Sequence, residues 1–148
     1  MVFRHARRPV GKTGISETSA KTIGVTGETL FAFRALEQGL VPSVPMGDNS
    51  QYDFLIDNGS KISRVQIKAS SHPDSSSKVD RYNFTLKHSN YSLYSAEDID
   101  VFGLVVIPLR LVYIVPHTVV SDLTKTSVFP TNNSTSKMEE FRERWDLL

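Results

Sequence analysis

The chain contains no cysteine, which removes disulfides and thiolate metal sites from consideration. No apolar run approaches the roughly 18 residues that a membrane-spanning helix needs, so no membrane partner is expected. The start, MVFRHARRPVGKTG, is basic but lacks the apolar stretch of a secretory leader. These absences fit a reducing cytoplasm. Histidine is scarce and scattered: His5, His72, His88 and His117 stand singly, without the spacing of zinc ligands. The GKT at 11–13 invites a phosphate-loop reading, but Ala6 stands where that loop needs glycine and no strand precedes it.

What is present suits one compact domain. The 148 residues are 39% hydrophobic and 22% charged, ordinary values for a globular chain with a single core. Net charge is only +1, yet it is unevenly spread. Residues 1–21 carry Arg4, Arg7, Arg8, Lys12 and Lys21 against Glu17 alone. Residues 61–88 carry Lys61, Arg64, Lys68, Lys78, Arg81 and Lys87 against Asp74 and Asp80. Two such blocks suit either a local phosphate-binding footprint or solubilising charge on an arm and a loop.

Residues 1–22 are polar and aperiodic and read as a flexible basic arm, leaving 23–148 as the folded domain. GETLFAFRALEQGL reads as a helix with Gly39 as its stop signal. VPSVPM is extended, kept from helix by Pro42 and Pro45. QYDFLID and SRVQIKAS read as strands joined by NGSK, in which Asn58-Gly59 is a strong hairpin signal. A Ser-rich loop follows, then the alternating strand RYNFTLK, the apolar strand DIDVFGLVVIP and its partner RLVYIVP. HTVVSDL predicts a short helix. In TSKMEEFRERWDLL, Ser136 and Glu139 form a capping box, and Met138, Phe141, Trp145 and Leu148 recur at helical spacing. The order predicts an α/β or α+β fold, a mixed central sheet flanked by helices.

Strand alternation gathers polar groups. Asp53, Leu55 and Asp57 share one face of their strand, and Arg64, Gln66, Lys68 and Ser70 share one face of the next. With Asn58 and Gly59 as central turn residues, Asp57 pairs with Ser60 and Asp53 falls opposite Arg64. Gln66 is then a diagonal neighbour of Asp53, about 7–8 Å away. Lys68 lies a step further, so sheet twist or a bend near Asp53 must bring it in. A one-residue slip would separate the groups. Glu28 heads the stripe Phe31, Ala32 and Ala35 on the helix. A carboxylate in that line calls for a partner such as a cation, or else sits in the first turn to favour the helix dipole.

An acid on a helix, an acid on a strand and a polar-x-Lys pair across a hairpin resemble the PD-(D/E)XK nuclease superfamily. The resemblance implies a restriction-endonuclease-like core, with Glu28, Asp53, Gln66 and Lys68 as catalytic residues. It implies one or two Mg²⁺ ions held by Glu28, Asp53 and Gln66, with Lys68 stabilising charge and positioning the nucleophile. Gln66 departs from the family's usual Asp or Glu: it either weakens metal affinity or is not a ligand. A branch of small homing endonucleases associated with group I introns is similar in having Gln here. Its spacing also resembles this chain's, with 25 residues from Glu28 to Asp53, 13 to Gln66 and 2 to Lys68. DIDVFGLVVIPLRLVYIVP resembles that branch's apolar strand pair, an acidic start leading to a Y-(I/L)-(V/I)-P end.

The resemblance implies hydrolysis of double-stranded DNA to 5′-phosphate and 3′-hydroxyl ends, in a bacterial or phage-infected cell. One candidate site per chain, set against a duplex, calls for a homo-oligomer, a dimer or a tetramer. Arg4, Arg7, Arg8, Lys12, Arg64, Arg81 and Lys87 would then face phosphates or a groove. A Holliday junction resolvase shares the fold and most of the motif, and a decayed DNA-binding module would explain Gln66. Asp98 and Asp100 read as strand-start caps or partners of a basic neighbour, with membership of the site as the alternative, and Asp48 as a turn residue.

Overall fold

The structure, a computed structural model, describes residues 19–131 and 136–148. Helix α1 (Ala20–Glu37) is followed by strands β1 (Val41–Ser43), β2 (Phe54–Asp57) and β3 (Ile62–Ser70). Then come β4 (Tyr82–Thr85), β5 (Val101–Val106), β6 (Leu111–Pro116), the short helix α2 (His117–Val120) and β7 (Lys125–Val128). Five strands form one mixed sheet in the order β1-β2-β3-β5-β6, while β4 and β7 pair as a separate two-stranded sheet. Only β3 and β5 run parallel; the other neighbours are antiparallel. The fold is α+β, as the pattern predicts.

Each face of the main sheet buries its own core. On one side Phe31 and Ala35 of α1 pack against Phe54, Ile56, Val65, Ile67, Val101 and Val105. On the other, Phe102, Leu104, Val106, Tyr113 and Val115 meet Tyr82 and Phe84 of the smaller sheet and Leu86 just beyond it. β5 is buried at every position, as a strand covered on both faces must be. RYNFTLK is therefore a strand, as its alternation predicts, but it covers the main sheet instead of joining it.

Helix α1 begins at Ala20, so the last three residues assigned to the arm form its opening turn. Local propensity hides that start. Ala20–Thr29 holds two glycines and five β-branched residues, all weak helix formers. Ser19 caps the helix by accepting the Thr22 amide at 3.3 Å. Packing supplies the rest: a Cβ on Gly27 would lie 2.3 Å from the Ala69 Cβ, so glycine there lets α1 rest directly on β3. At the far end the Leu40 amide reaches the Ala35 carbonyl and the Gly39 amide that of Leu36, each at 3.0 Å. Gly39 takes φ +75°, giving the Schellman stop that its position predicts.

The closing segment departs from a single amphipathic helix. It forms two 3-10 turns, Lys137–Phe141 and Trp145–Leu147, separated by Glu143 at φ 53°. Met138 and Phe141 enter the core beneath the small sheet, while Trp145 and Leu148 enter the core beneath α1. One helical face cannot serve both sides of a sheet, so the chain breaks as it rounds the β6 edge. Glu143 fixes the break. Its backbone amide donates to the Val112 carbonyl at 2.8 Å. Its carboxylate accepts from the Val112 amide (2.9 Å), Arg34 Nη2 (2.8 Å) and Trp145 Nε1 (2.7 Å).

Candidate active site

The β2–β3 hairpin has a different register from the one its Asn-Gly pair suggests. Asp57 pairs with Ile62 and Leu55 with Arg64, a shift of two residues from the tight-turn register. Asn58 explains it: its Oδ1 accepts from the Ser60 and Lys61 amides at 2.9 and 2.8 Å, and its backbone N–H donates to the Lys61 carbonyl at 3.1 Å. The turn is thereby widened to four residues. Because side chains alternate with a period of two, a two-residue shift keeps the faces that a one-residue slip would exchange. It also carries Asp53 from the level of Arg64 to that of Gln66.

Asp53 stands in a bend just before β2, where the ladder stops being regular. Its amide donates to the Val65 carbonyl at 2.9 Å, and its Oδ2 accepts from the Ile67 amide at 2.7 Å. The carboxylate thus stands in for a backbone carbonyl. That bond fixes its position against β3 and leaves Oδ1 free of protein partners among the described residues. Burial raises its pKa, opposed by the Ile67 amide and the charge of Lys68. Glu28, half-buried on α1, is raised by burial and further by the charge of Asp53. The carboxylate on α1 and the one just before β2 therefore repel.

Gln66 and Lys68 are half-buried on β3, level with Phe102 and Leu104 of β5 respectively. The Gln66 side-chain nitrogen makes only a long 3.4 Å contact to the Ile67 carbonyl, so its carbonyl oxygen remains available. Lys68 extends to Tyr94, donating from Nζ to the hydroxyl at 3.2 Å. Its ammonium also lies 5.1 Å from the centre of that ring. Burial lowers the Lys68 pKa, with Asp53 acting in the opposite sense. The Tyr94 hydroxyl is pushed up to about 12 by burial, with the charges of Asp53 and Asp98 adding to the effect. It stays neutral at physiological pH.

This donor set fits a hard divalent cation. Two desolvated carboxylates repel each other, a neutral amide oxygen stands nearby, and no third acidic, histidine or cysteine ligand joins them among the described residues. Oxygen ligands of this kind suit Mg²⁺ better than softer metals. A bound cation would relieve both the burial cost and the repulsion.

The expected DNA contacts fare differently. Arg4, Arg7, Arg8 and Lys12 lie outside the described residues. Arg64 is committed inside the fold: it pairs with Asp100 at 2.8 Å and donates to the Ala96 and Glu97 carbonyls, tying β3 to the segment entering β5. Asp100 is thus the partner of a basic neighbour, and Asp98 accepts the Ser95 amide at 2.9 Å. Arg81 pairs with Asp74 at 2.5 Å, in a loop that Asp74 also fastens through Ser76 and Asn83. Lys87 lies over the Tyr91 ring at 4.3 Å. Tyr94 is the site residue that sequence reading missed. It lies in the long β4–β5 connection, where Tyr91 and Leu93 stand beside it and no periodicity singles it out.

Similarity to known proteins follows the same geometry. A bacterial homing endonuclease, I-Ssp6803I, superposes with a TM-score of 0.73 at 26% identity, over 87% of this chain and 90% of that one. No curated protein sequence matches the chain. The family model for PD-(D/E)XK endonucleases matches residues 18–147. That span runs from before the first turn of α1 to the last 3-10 turn and leaves no element of the fold outside it. The chain belongs to the PD-(D/E)XK endonucleases.

Proposed function

We propose that this endonuclease hydrolyses double-stranded DNA at a specific site in a Mg²⁺-dependent reaction of the homing type. The observation that carries the reading is the pair Glu28 and Asp53, both half-buried and raised by burial, Glu28 further by the charge of Asp53, with the Lys68 ammonium acting on Asp53. Glu28 and Asp53 would hold the cation, with the Gln66 carbonyl oxygen as a neutral third donor. When bound, the metal polarises the phosphodiester and lowers the pKa of attacking water.

The protein's own groups do the remainder. Asp53, locked by the Ile67 amide, keeps its free oxygen at a fixed place beside β3. Lys68, in a partly desolvated site, offers its charge where negative charge develops on the phosphate oxygens. Water adds to phosphorus and the 3′ oxygen departs, leaving 5′-phosphate and 3′-hydroxyl ends. One site per chain and two antiparallel strands call for two or more copies, a dimer or a tetramer. The similarity to I-Ssp6803I favours the homing type over a junction resolvase.

The test is incubation with supercoiled plasmid, a panel of duplex sites and a four-way junction, with and without Mg²⁺. Metal-dependent cutting of a particular duplex is expected. Preference for the junction would instead identify a resolvase, and binding without cutting of any substrate would identify a decayed module. Lys68→Ala should abolish cleavage and spare binding; surviving activity would remove the site assignment. Gln66→Glu should remain active with an altered metal requirement if Gln66 is a ligand, and should keep the wild-type metal requirement if it is not.

A further inference from the structure

We propose that Tyr94 is the positioning residue for Lys68, holding its ammonium through a neutral hydroxyl so that the full positive charge remains available to the phosphate. The inference rests on the nuclease reading of the same site. Lysine is a flexible four-carbon stem, and its rotamer freedom must be lost before its charge can be aimed. Lysines are commonly held by a carboxylate, which would cancel the charge that the reaction needs. Among the described residues Lys68 has no ion pair within 4.0 Å. Its hydrogen-bond partner is the Tyr94 hydroxyl at 3.2 Å, and the Tyr94 ring lies 5.1 Å from Nζ.

Tyr94 is itself firmly held. The side chain is buried. Phe102 meets it edge-on at 5.4 Å and 89°, and the His88 ring lies against it at 3.7 Å. Its backbone carbonyl is 2.8 Å from Nε2 of the buried His117. His117 in turn begins α2, and its amide donates to the Asp100 carbonyl at 2.9 Å. Tyr94 therefore brings the rigidity of the β5–β6 core to a side chain that β3 alone would leave loose. Phe102 is also the residue level with Gln66, so the tether and the metal edge share one support.

Tyr94→Phe tests this directly, because the ring, its packing and the cation–π contact all remain. On a substrate that the wild type cuts, kcat is expected to fall about 10- to 100-fold with KM within about twofold, the pattern of a lost positioning interaction. The melting temperature should be unchanged. Acetic anhydride labelling read by mass spectrometry should modify Lys68 several-fold faster in Tyr94→Phe, since its ammonium is released. Cleavage by Tyr94→Phe at the wild-type rate overturns the catalytic role of the tether, and unchanged Lys68 labelling overturns the tether itself. A wild-type chain that cuts no DNA overturns the nuclease reading instead, while the labelling still reads the tether.

Discussion

Replacing Gly27 with alanine should separate catalysis from folding. The added Cβ would lie 2.3 Å from the Ala69 Cβ and 3.6 Å from its Cα. Carbon atoms in contact sit about 3.5–4.0 Å apart, so α1 must retreat from β3 by about 1.5 Å. Both atoms belong to rigid elements, and no flexible side chain can swing aside. Overpacking of this kind costs about 1–3 kcal/mol, offset by about 1 kcal/mol from the better helix propensity of alanine. The net loss of about 0–2 kcal/mol corresponds to a fall in melting temperature of at most about 8 °C. Glu28 is the next residue and moves with the helix, whereas Asp53 and Lys68 are fixed to the sheet. A misplacement of about 1 Å in a catalytic group costs about 100-fold in rate. Cleavage kinetics and calorimetry should therefore show a roughly 100-fold loss of kcat in a protein that still melts cooperatively. Gly24→Ala is the control, since nothing lies within 4 Å of its Cβ; it should keep full activity and gain slightly in stability. A Gly27→Ala enzyme as active as the wild type, or a Gly24→Ala enzyme equally damaged, would refute the packing argument.

Other outcomes follow from the same contacts. On the proposed metal reading, Mg²⁺ held by the folded carboxylate pair should raise the melting temperature of the wild type. Glu28→Gln should abolish that response and, by removing repulsion with Asp53, melt higher than the metal-free wild type. Glu143→Ala strands Arg34 Nη2, the Val112 amide and the Trp145 indole N–H. It should cost about 2–4 kcal/mol, read as a lower urea midpoint, with the C-terminal segment losing protection from hydrogen exchange first. The Asp74 carboxyl is held well below the ordinary carboxylate range by Ser76 and Arg81. A depressed folded pKa contributes stability above the unfolded value and loses it as pH falls. The 71–81 loop should therefore gain exchange rate below about pH 4, and Asp74→Asn should show that fast exchange already at neutral pH.

The sequence alone determined which side chains belong together. Alternation on two strands placed Asp53, Gln66 and Lys68 on shared faces, and the helical stripe placed Glu28 in line with Phe31 and Ala35. Those patterns are local, with periods of 2 and 3.6 residues, so they survive errors in turn and register. Even the two-residue register shift, set by the Asn58 side chain, left the faces intact. The tertiary structure decided what depends on neighbours distant in sequence. The early start of α1 depends on Ala69, and the broken C-terminal segment depends on a sheet edge with a core on either side. Arg64 belongs to Asp100, and Lys68 is held by a tyrosine 26 residues away. None of these has a period. Each arises where two separately formed elements meet and the cost of an unpaired polar group or a steric overlap selects the arrangement.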